Sequence, residues 1–380
     1  MGDPGEGAVL EGIGVTESRD PIAFAEKVLA LLELGSFSAT YKYALFTAIM
    51  DLCHERASAS GALPTTLTTR QLAGKVTELY WPHATPYEGG GVLRQGGVRS
   101  GNQAEILSAI SHFRTRHAGA PGELHFRAQS AHPDAFERLV RKVEWKLIEM
   151  PIPRLQRMGR EEDRFLYDYG WTEDIRQADV TAYQRGDRSA FDNRLLLGPA
   201  VAEHIVTLTG VLRPVVRREW TLMVAGMNAL SEAKLEQFLF GSSRVSLDAV
   251  RGALGELQGG RCFYCGARVG RQIDVDHFIP WARYPDNGID NLVAAHPACN
   301  NQKRDFFAAA EHLEHWTGRS RVRNEDLDIL VSEAGWVRDA GRSRSVARAM
   351  YSRLPQGSRV WISGTELVPI DQVRAAAAFR

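Results

Sequence analysis

Residues 261–316 read RCFYCGARVGRQIDVDHFIPWARYPDNGIDNLVAAHPACNNQKRDFFAAAEHLEHW, and two features of this stretch govern the reading of the rest. The first is a pair of closely spaced donor pairs: Cys262-x-x-Cys265, then 30 residues, then His296-x-x-Cys299. A spacing of two lets both side chains turn toward one ion, and three thiolates with one imidazole make an accepted tetrahedral zinc set. All four donors are used by that ion, so such a zinc is structural. The competing reading is a redox pair, Cys262 and Cys265, with His296 a surface residue. The second feature lies between the pairs. Ile273 and Val275 alternate with Asp274 and Asp276, as in a half-buried strand, and His277 falls at the strand end before Pro280. A turn-rich loop, WARYPDNGID, leads to a second strand, NLVAAH, and a helix is expected from about Pro297 to Trp316.

In this order of strand, loop, strand and helix, the segment resembles an HNH nuclease domain of the ββα-metal type with an added zinc clamp. The pattern Cys-x-x-Cys, Asp-His-x-Ile-Pro, Asn-Leu-Val and Cys-Asn-x-x-Lys is met in order by Cys262, Cys265, Asp276, His277, Ile279, Pro280, Asn291, Leu292, Val293, Cys299, Asn300 and Lys303. His296 stands where many relatives have cysteine, and histidine is a competent zinc donor. The resemblance implies phosphodiester hydrolysis with a single catalytic Mg2+ or Mn2+, and the residue chemistry agrees. His277 is suited to act as general base. Asp276 and Asn300 offer the hard oxygens such an ion prefers, with Asp274 in reserve. Asn291 would hold the His277 imidazole in orientation. Lys303, one turn beyond Asn300, and Arg304 are candidate phosphate contacts. His312 and His315 read as a solvated helix face.

Lys+Arg and Asp+Glu both number 46, so net charge gives no sign of a polyanionic partner. The charge is uneven, however. Arg338, Arg342, Arg344, Arg348, Arg353 and Arg359 face one acid, Asp339, and a local basic stripe is compatible with zero net charge. Hydrophobic residues at 44% exclude a chain disordered throughout, and four cysteines exclude a disulfide scaffold. No apolar run reaches membrane-spanning length and no secretory signal opens the chain, so a cytoplasmic protein without membrane contact is expected.

Upstream, helical patterns dominate: PIAFAEKVLALLELG, TYKYALFTAIMDLCHERA with Cys53 packed inside, and a helix after Thr68, which stands in capping-box register with Gln71. A long pattern from Pro199 carries Pro214 as an interruption or kink. The helices around Thr68–Trp81, followed by the glycine-rich segment from Tyr87 to Gly101, fit a helix-turn-helix or winged-helix unit, with Arg94 and Arg99 near nucleic acid; a plain connector fits equally. The expected organisation is a flexible leader (1–20), a helical unit with the glycine-rich loop (21–125), a helical recognition or regulatory region (126–240), a zinc-clamped nuclease domain (241–320) and a basic C-terminal extension (321–380). The fold class is mixed and mainly α. The expected function is a DNA endonuclease acting in restriction or phage defence, as a homodimer or by successive nicks, with a regulatory protein or signal at the N-terminal region. The rival readings are a non-catalytic zinc-stabilised binding module and an RNA-cleaving nuclease.

Overall fold

The computed structural model describes residues 20–35, 38–97, 102–117, 123–241, 246–270 and 272–380; the expected leader, apart from Asp20, and Arg99 lie outside them. The N-terminal part runs α1 (Pro21–Leu34), α2 (Tyr41–Glu55), β1 (Thr66–Thr68), α3 (Thr69–Tyr80), α4 (Glu105–His117), α5 (His125–Ala131), α6 (Pro133–Glu149), β2 (Arg157–Met158), β3 (Glu161–Glu162), β4 (Tyr167–Tyr169), α7 (Gln177–Gln184), β5 (Arg194–Leu197), α8 (Val201–Asn228) and α9 (Glu232–Phe240). The C-terminal part continues with α10 (Asp248–Leu257), β6 (Asp274–His277), β7 (Leu292–Ala295), α11 (Pro297–Lys303), α12 (Ala310–Val322), α13 (Asn324–Ala334), α14 (Ala340–Tyr351), β8 (Arg359–Ser363), β9 (Glu366–Pro369) and α15 (Gln372–Ala377). The protein is thus mainly α with small sheets.

The helix α2 forms the axis of the N-terminal core. All its residues but the first and last are buried, because α3, α8 and α14 cover it. The capping box expected at Thr68 closes the start of α3: Gln71 N–H donates to the Thr68 hydroxyl (3.2 Å) and Thr68 N–H to Gln71 Oε1 (2.9 Å). Between α2 and α6, α3 has no exposed residue along its length, so it offers no face to a nucleic-acid groove. Its entry strand β1 pairs with β5, and β5 with β4, in an antiparallel sheet of order β1-β5-β4. The helix α8 passes through Pro214 without ending and runs 28 residues.

The described part of the glycine-rich segment is built into this core. Gln95 is fully buried, and its Oε1 accepts from the Trp220 indole (2.9 Å) and the Thr40 hydroxyl (3.0 Å). Arg94 turns inward. Its backbone N–H meets Asn228 Oδ1 (2.8 Å) and its guanidinium donates to the Met227 carbonyl at the end of α8. The expected nucleic-acid contact at Arg94 is corrected accordingly: the side chain satisfies a carbonyl that a helix end leaves open.

His54 in α2 is fully buried, with Nδ1 2.7 Å from the Met50 carbonyl and Nε2 3.1 Å from the Thr209 hydroxyl. Burial, with nearby Arg213, lowers its pKa from 6.5 to about 4. The imidazole therefore stays neutral in the fold while the unfolded chain takes up a proton below pH 6.5. Stability should fall as pH drops from 6.5 to about 4, with about 3 kcal/mol from this group. Urea unfolding of wild type and His54→Gln across that range checks it; identical pH dependence in both would refute the assignment.

In the C-terminal part, the four residues of β7 are all buried because the strand lies between two cores. Its side chains alternate, as a two-residue period requires. Val293 and Ala295 join Phe278, Trp316 and Trp361 on one side, while Leu292 and Ala294 join Val250, Leu254 and Leu327 on the other. Residues after 321 are integral to this domain: Val360, Trp361, Ala375 and Phe379 share a core with Cys262, Phe263 and Tyr264. The expected basic extension is corrected on that ground. The single helix expected over 297–316 is broken into α11 and α12, because Arg304 takes φ 50° and ends α11. Among the described residues no helix is long and apolar enough to cross a membrane.

Candidate active site and metal centre

Cys262, Cys265, His296 and Cys299 converge, with their ligand atoms all within 4.8 Å of one another. The first pair sits on a tight turn after α10, and the second straddles the start of α11, which His296 caps. Cys265 Sγ is 3.3 Å from His296 Nδ1, while His296 Nε2 lies 3.1 Å from the Arg268 carbonyl. A carbonyl only accepts, so Nε2 carries the proton and Nδ1 keeps the lone pair a metal needs. Burial raises the Cys262 thiol pKa, but the N–H groups of Cys265, His296 and Tyr264 directed at the sulfur outweigh it, and the net shift is downward. Cys299 is pushed up to about 12 by burial and the two neighbouring sulfurs. Three thiolates cannot share one site without a cation among them, so the donor set fits zinc.

The strands β6 and β7 pair antiparallel, Asp276 opposite Val293 and His277 opposite Leu292. Asp276 and His277 are buried rather than projecting, at 7% and 8% exposure. Asp276 Oδ2 accepts from the Tyr264 hydroxyl (2.5 Å) and pairs with the Lys303 ammonium (3.0 Å); Oδ1 takes no hydrogen bond from the described residues. Tyr264 lies between the two cysteines of the first pair, so the turn that would hold the metal also holds the carboxylate. The short helix α11 crosses β6, and Asn300 Nδ2 donates to Asp274 Oδ2 (3.2 Å), which leaves the Asn300 carbonyl oxygen open. His277 Nε2 is 2.8 Å from Asn287 Oδ1. The amide oxygen must receive a proton, which puts the imidazole lone pair on Nδ1, and no described group occupies it. Burial lowers the His277 pKa below its ordinary value, against the opposing effect of Asn287, so the ring is a neutral base near pH 7.

Residues 262–309 match the HNH endonuclease family, and residues 23–239, more than half the chain, match the domain of unknown function DUF8808. The chain belongs to the DUF8808 family and carries an HNH endonuclease domain behind that region. No curated protein and no solved structure matches it.

Within the HNH domain, two expected roles are corrected. Asn291 does not reach the imidazole. Its Oδ1 accepts from Ile279 N–H (2.7 Å), and its Nδ2 donates to the Asp286 (3.0 Å) and Ile279 (3.3 Å) carbonyls. It fixes the backbone that follows the base, and Asn287 holds the ring. Lys303 is fully buried, with Nζ on the His277 carbonyl (2.9 Å) as well as on Asp276, so no phosphate can reach it. The same face of α11 that carries Asn300 rests on β6, and the ammonium neutralises a carboxylate that would otherwise be buried alone. Arg304 is exposed beside the site. Of the two histidines expected on a solvated helix face, His312 is buried, bonding the Ile362 carbonyl (2.8 Å) and stacking on Trp361, whereas His315 is exposed, with one ring face on Phe263.

Four arginines of the stripe are engaged by the protein itself, while Arg359 is exposed. Arg338 pairs with Asp290 and Asp328, Arg342 with Glu78, and Arg353 with Glu203; Arg348 binds the Ser58 and Phe379 carbonyls. A surplus of one sign in the sequence does not tell which way the side chains face. Tyr264 and Asn287 were not singled out from the sequence. Tyr264 has a signal, its place inside a metal knuckle two positions from a ligand, whereas Asn287 in Pro-Asp-Asn-Gly reads only as a turn residue.

Proposed function

We propose that the chain is a metal-dependent DNA endonuclease. The observation that carries this reading is an imidazole held at Nε2 by Asn287 with its Nδ1 open, on the residue next to Asp276, with Asn300 bonded to Asp274 of the same strand. Asp276 Oδ1 and the Asn300 carbonyl oxygen would hold one Mg2+ or Mn2+. When bound, that ion would neutralise charge on the phosphate oxygens and on the leaving 3′ oxygen. His277 Nδ1 takes a proton from the attacking water as the new P–O bond forms and the bond to the 3′ oxygen breaks. Lys303 and Tyr264 keep the second oxygen of Asp276 occupied, which limits the carboxylate to a single free oxygen. This reading includes a role in restriction or phage defence in the cytoplasm, with the N-terminal domain deciding when or where DNA is cut. Double-strand scission would come from a homodimer or from successive nicks.

Supercoiled plasmid incubated with the zinc-loaded protein and Mg2+ or Mn2+ should turn to nicked circles, and omission of the divalent ion should stop the reaction. Single-stranded RNA cut faster than plasmid would transfer the activity to RNA. Intact plasmid and RNA under all conditions would leave a zinc-stabilised binding module.

A further inference from the structure

We infer that the N-terminal domain positions the catalytic base, acting through Tyr284 and Arg342 as positioning residues; the inference rests on the nuclease reading above. The loop between β6 and β7 delivers Asn287 to His277, and its shape is imposed largely from outside. Tyr284, fully buried three residues before Asn287, donates its hydroxyl to Glu55 of α2 and accepts from Arg342 Nε of α14 (2.7 Å). Arg342 Nη2 binds Glu78 of α3 (2.7 Å). Lys75 Nζ lies 2.5 Å from Glu55 and 2.6 Å from Glu78.

The charges explain why this contact is specific. The N-terminal side alone holds two carboxylates and one ammonium, and Lys75 and Glu55 are almost fully enclosed. Arg342 brings the fourth charge and makes the cluster neutral. Separating the domains would leave a buried negative charge without a partner, the costly case for enclosed ions. The next residue of α14, Ser343, donates to Asp286 Oδ2 (2.8 Å). Just before that helix, Trp336 Nε1 donates to the Asn287 carbonyl (2.7 Å), and the Val337 carbonyl accepts from Ile289 N–H (3.0 Å). The loop that orients the base therefore hangs on α14 and the segment before it, and that helix is set by an ion cluster in the other domain. Ala349 lies in the N-terminal core, while Val346, Ala347 and Met350 lie in the nuclease core, so α14 is a wall common to both.

The test uses the full-length zinc-loaded protein, with kcat and KM on plasmid and with hydrogen exchange at Gly288, Ile289 and Asn291. Glu78→Gln, which touches neither the loop nor the nuclease core, should lower kcat about 10-fold at unchanged KM and zinc content. It should also speed exchange at those amides. Tyr284→Phe, which keeps the buried ring and removes only the hydroxyl, should do the same should Glu78→Gln fail to fold. Glu203→Gln breaks the exposed ion pair to Arg353 at the same domain contact without reaching the loop, and should leave kcat within about 2-fold. Wild-type kcat and exchange in Tyr284→Phe would overturn the inference, as would an equal loss in Glu203→Gln. A wild type that cuts no nucleic acid would defeat the nuclease reading instead, and the exchange measurement would still decide whether the cluster orders the loop.

Discussion

His277→Ala should slow plasmid nicking by about 10²- to 10⁴-fold, the range a positioned general base contributes, with zinc content and thermal stability close to wild type. The expectation of near-normal stability comes from the ring's surroundings. The imidazole makes one hydrogen bond, to Asn287, and packs 5.1 Å from Trp281, while the backbone around it is held independently by Lys303 on its carbonyl and by Asn291 on the residues that follow. Truncation therefore removes the proton acceptor and leaves its frame. A rate within about 3-fold of wild type would show that some other group takes the proton from water, or that the observed cutting belongs to a contaminant; the latter is separated by Asp276→Asn, which removes the formal charge proposed to hold the ion. A protein that unfolds on His277→Ala would mean that the buried ring supports the domain more than its contacts indicate.

The largest stability effect should follow from Cys262→Ser. Structural zinc binding is worth on the order of 10 kcal/mol to a small metal-clamped fold, more than the 5–15 kcal/mol margin of a domain can readily lose. Cys262 is buried and its sulfur receives three backbone N–H groups, so a serine there can neither hold zinc nor fill the site. The consequence should spread beyond the metal, because Phe263 and Tyr264 follow directly and Trp361 of β8 rests on the Tyr264 ring. The expected result is less than one zinc per chain, loss of the nuclease domain's unfolding transition, and no cleavage. Mass spectrometry of the native protein and urea unfolding would check this. A variant that keeps one zinc and wild-type stability would show that the cluster is held by something other than these four donors.

The Cys3His cluster and the two strands were legible in the sequence because their signals are local. A cysteine pair at a spacing of two, a two-residue alternation before Asp276-His277 and a capping box at Thr68 each depend on residues a few positions apart. What could not be read depends on which side of an element meets another. Lys303 shares a helix face with Asn300, yet that face is the one pressed on β6, so the lysine is interior. Arg94 lies in a glycine-rich stretch that looks like a free arm, and Gln95 beside it is among the most deeply buried polar groups. The sheet β1-β5-β4 joins Thr66 to Leu196, a pairing that no periodicity in either segment announces. The carboxylates that partner Arg338, Arg342 and Arg353 are Asp290 and Asp328, Glu78 and Glu203, and the two glutamates lie more than a hundred residues upstream, so these arginines looked like surface charge.

The shared wall formed by α14 bears on how such proteins can diversify. A chimera joining the helical half of one relative to the nuclease half of another would bring together an arginine from one lineage and a carboxylate from the other, along with unmatched small residues at the seam. Such a chimera should therefore hold together only where Glu55, Lys75 and Glu78 come with Tyr284 and Arg342, and in a mismatched pair the nuclease half should unfold at a lower urea concentration than in either parent. The two halves are then expected to be inherited as a linked pair, because of what they bury against each other rather than any contact with substrate.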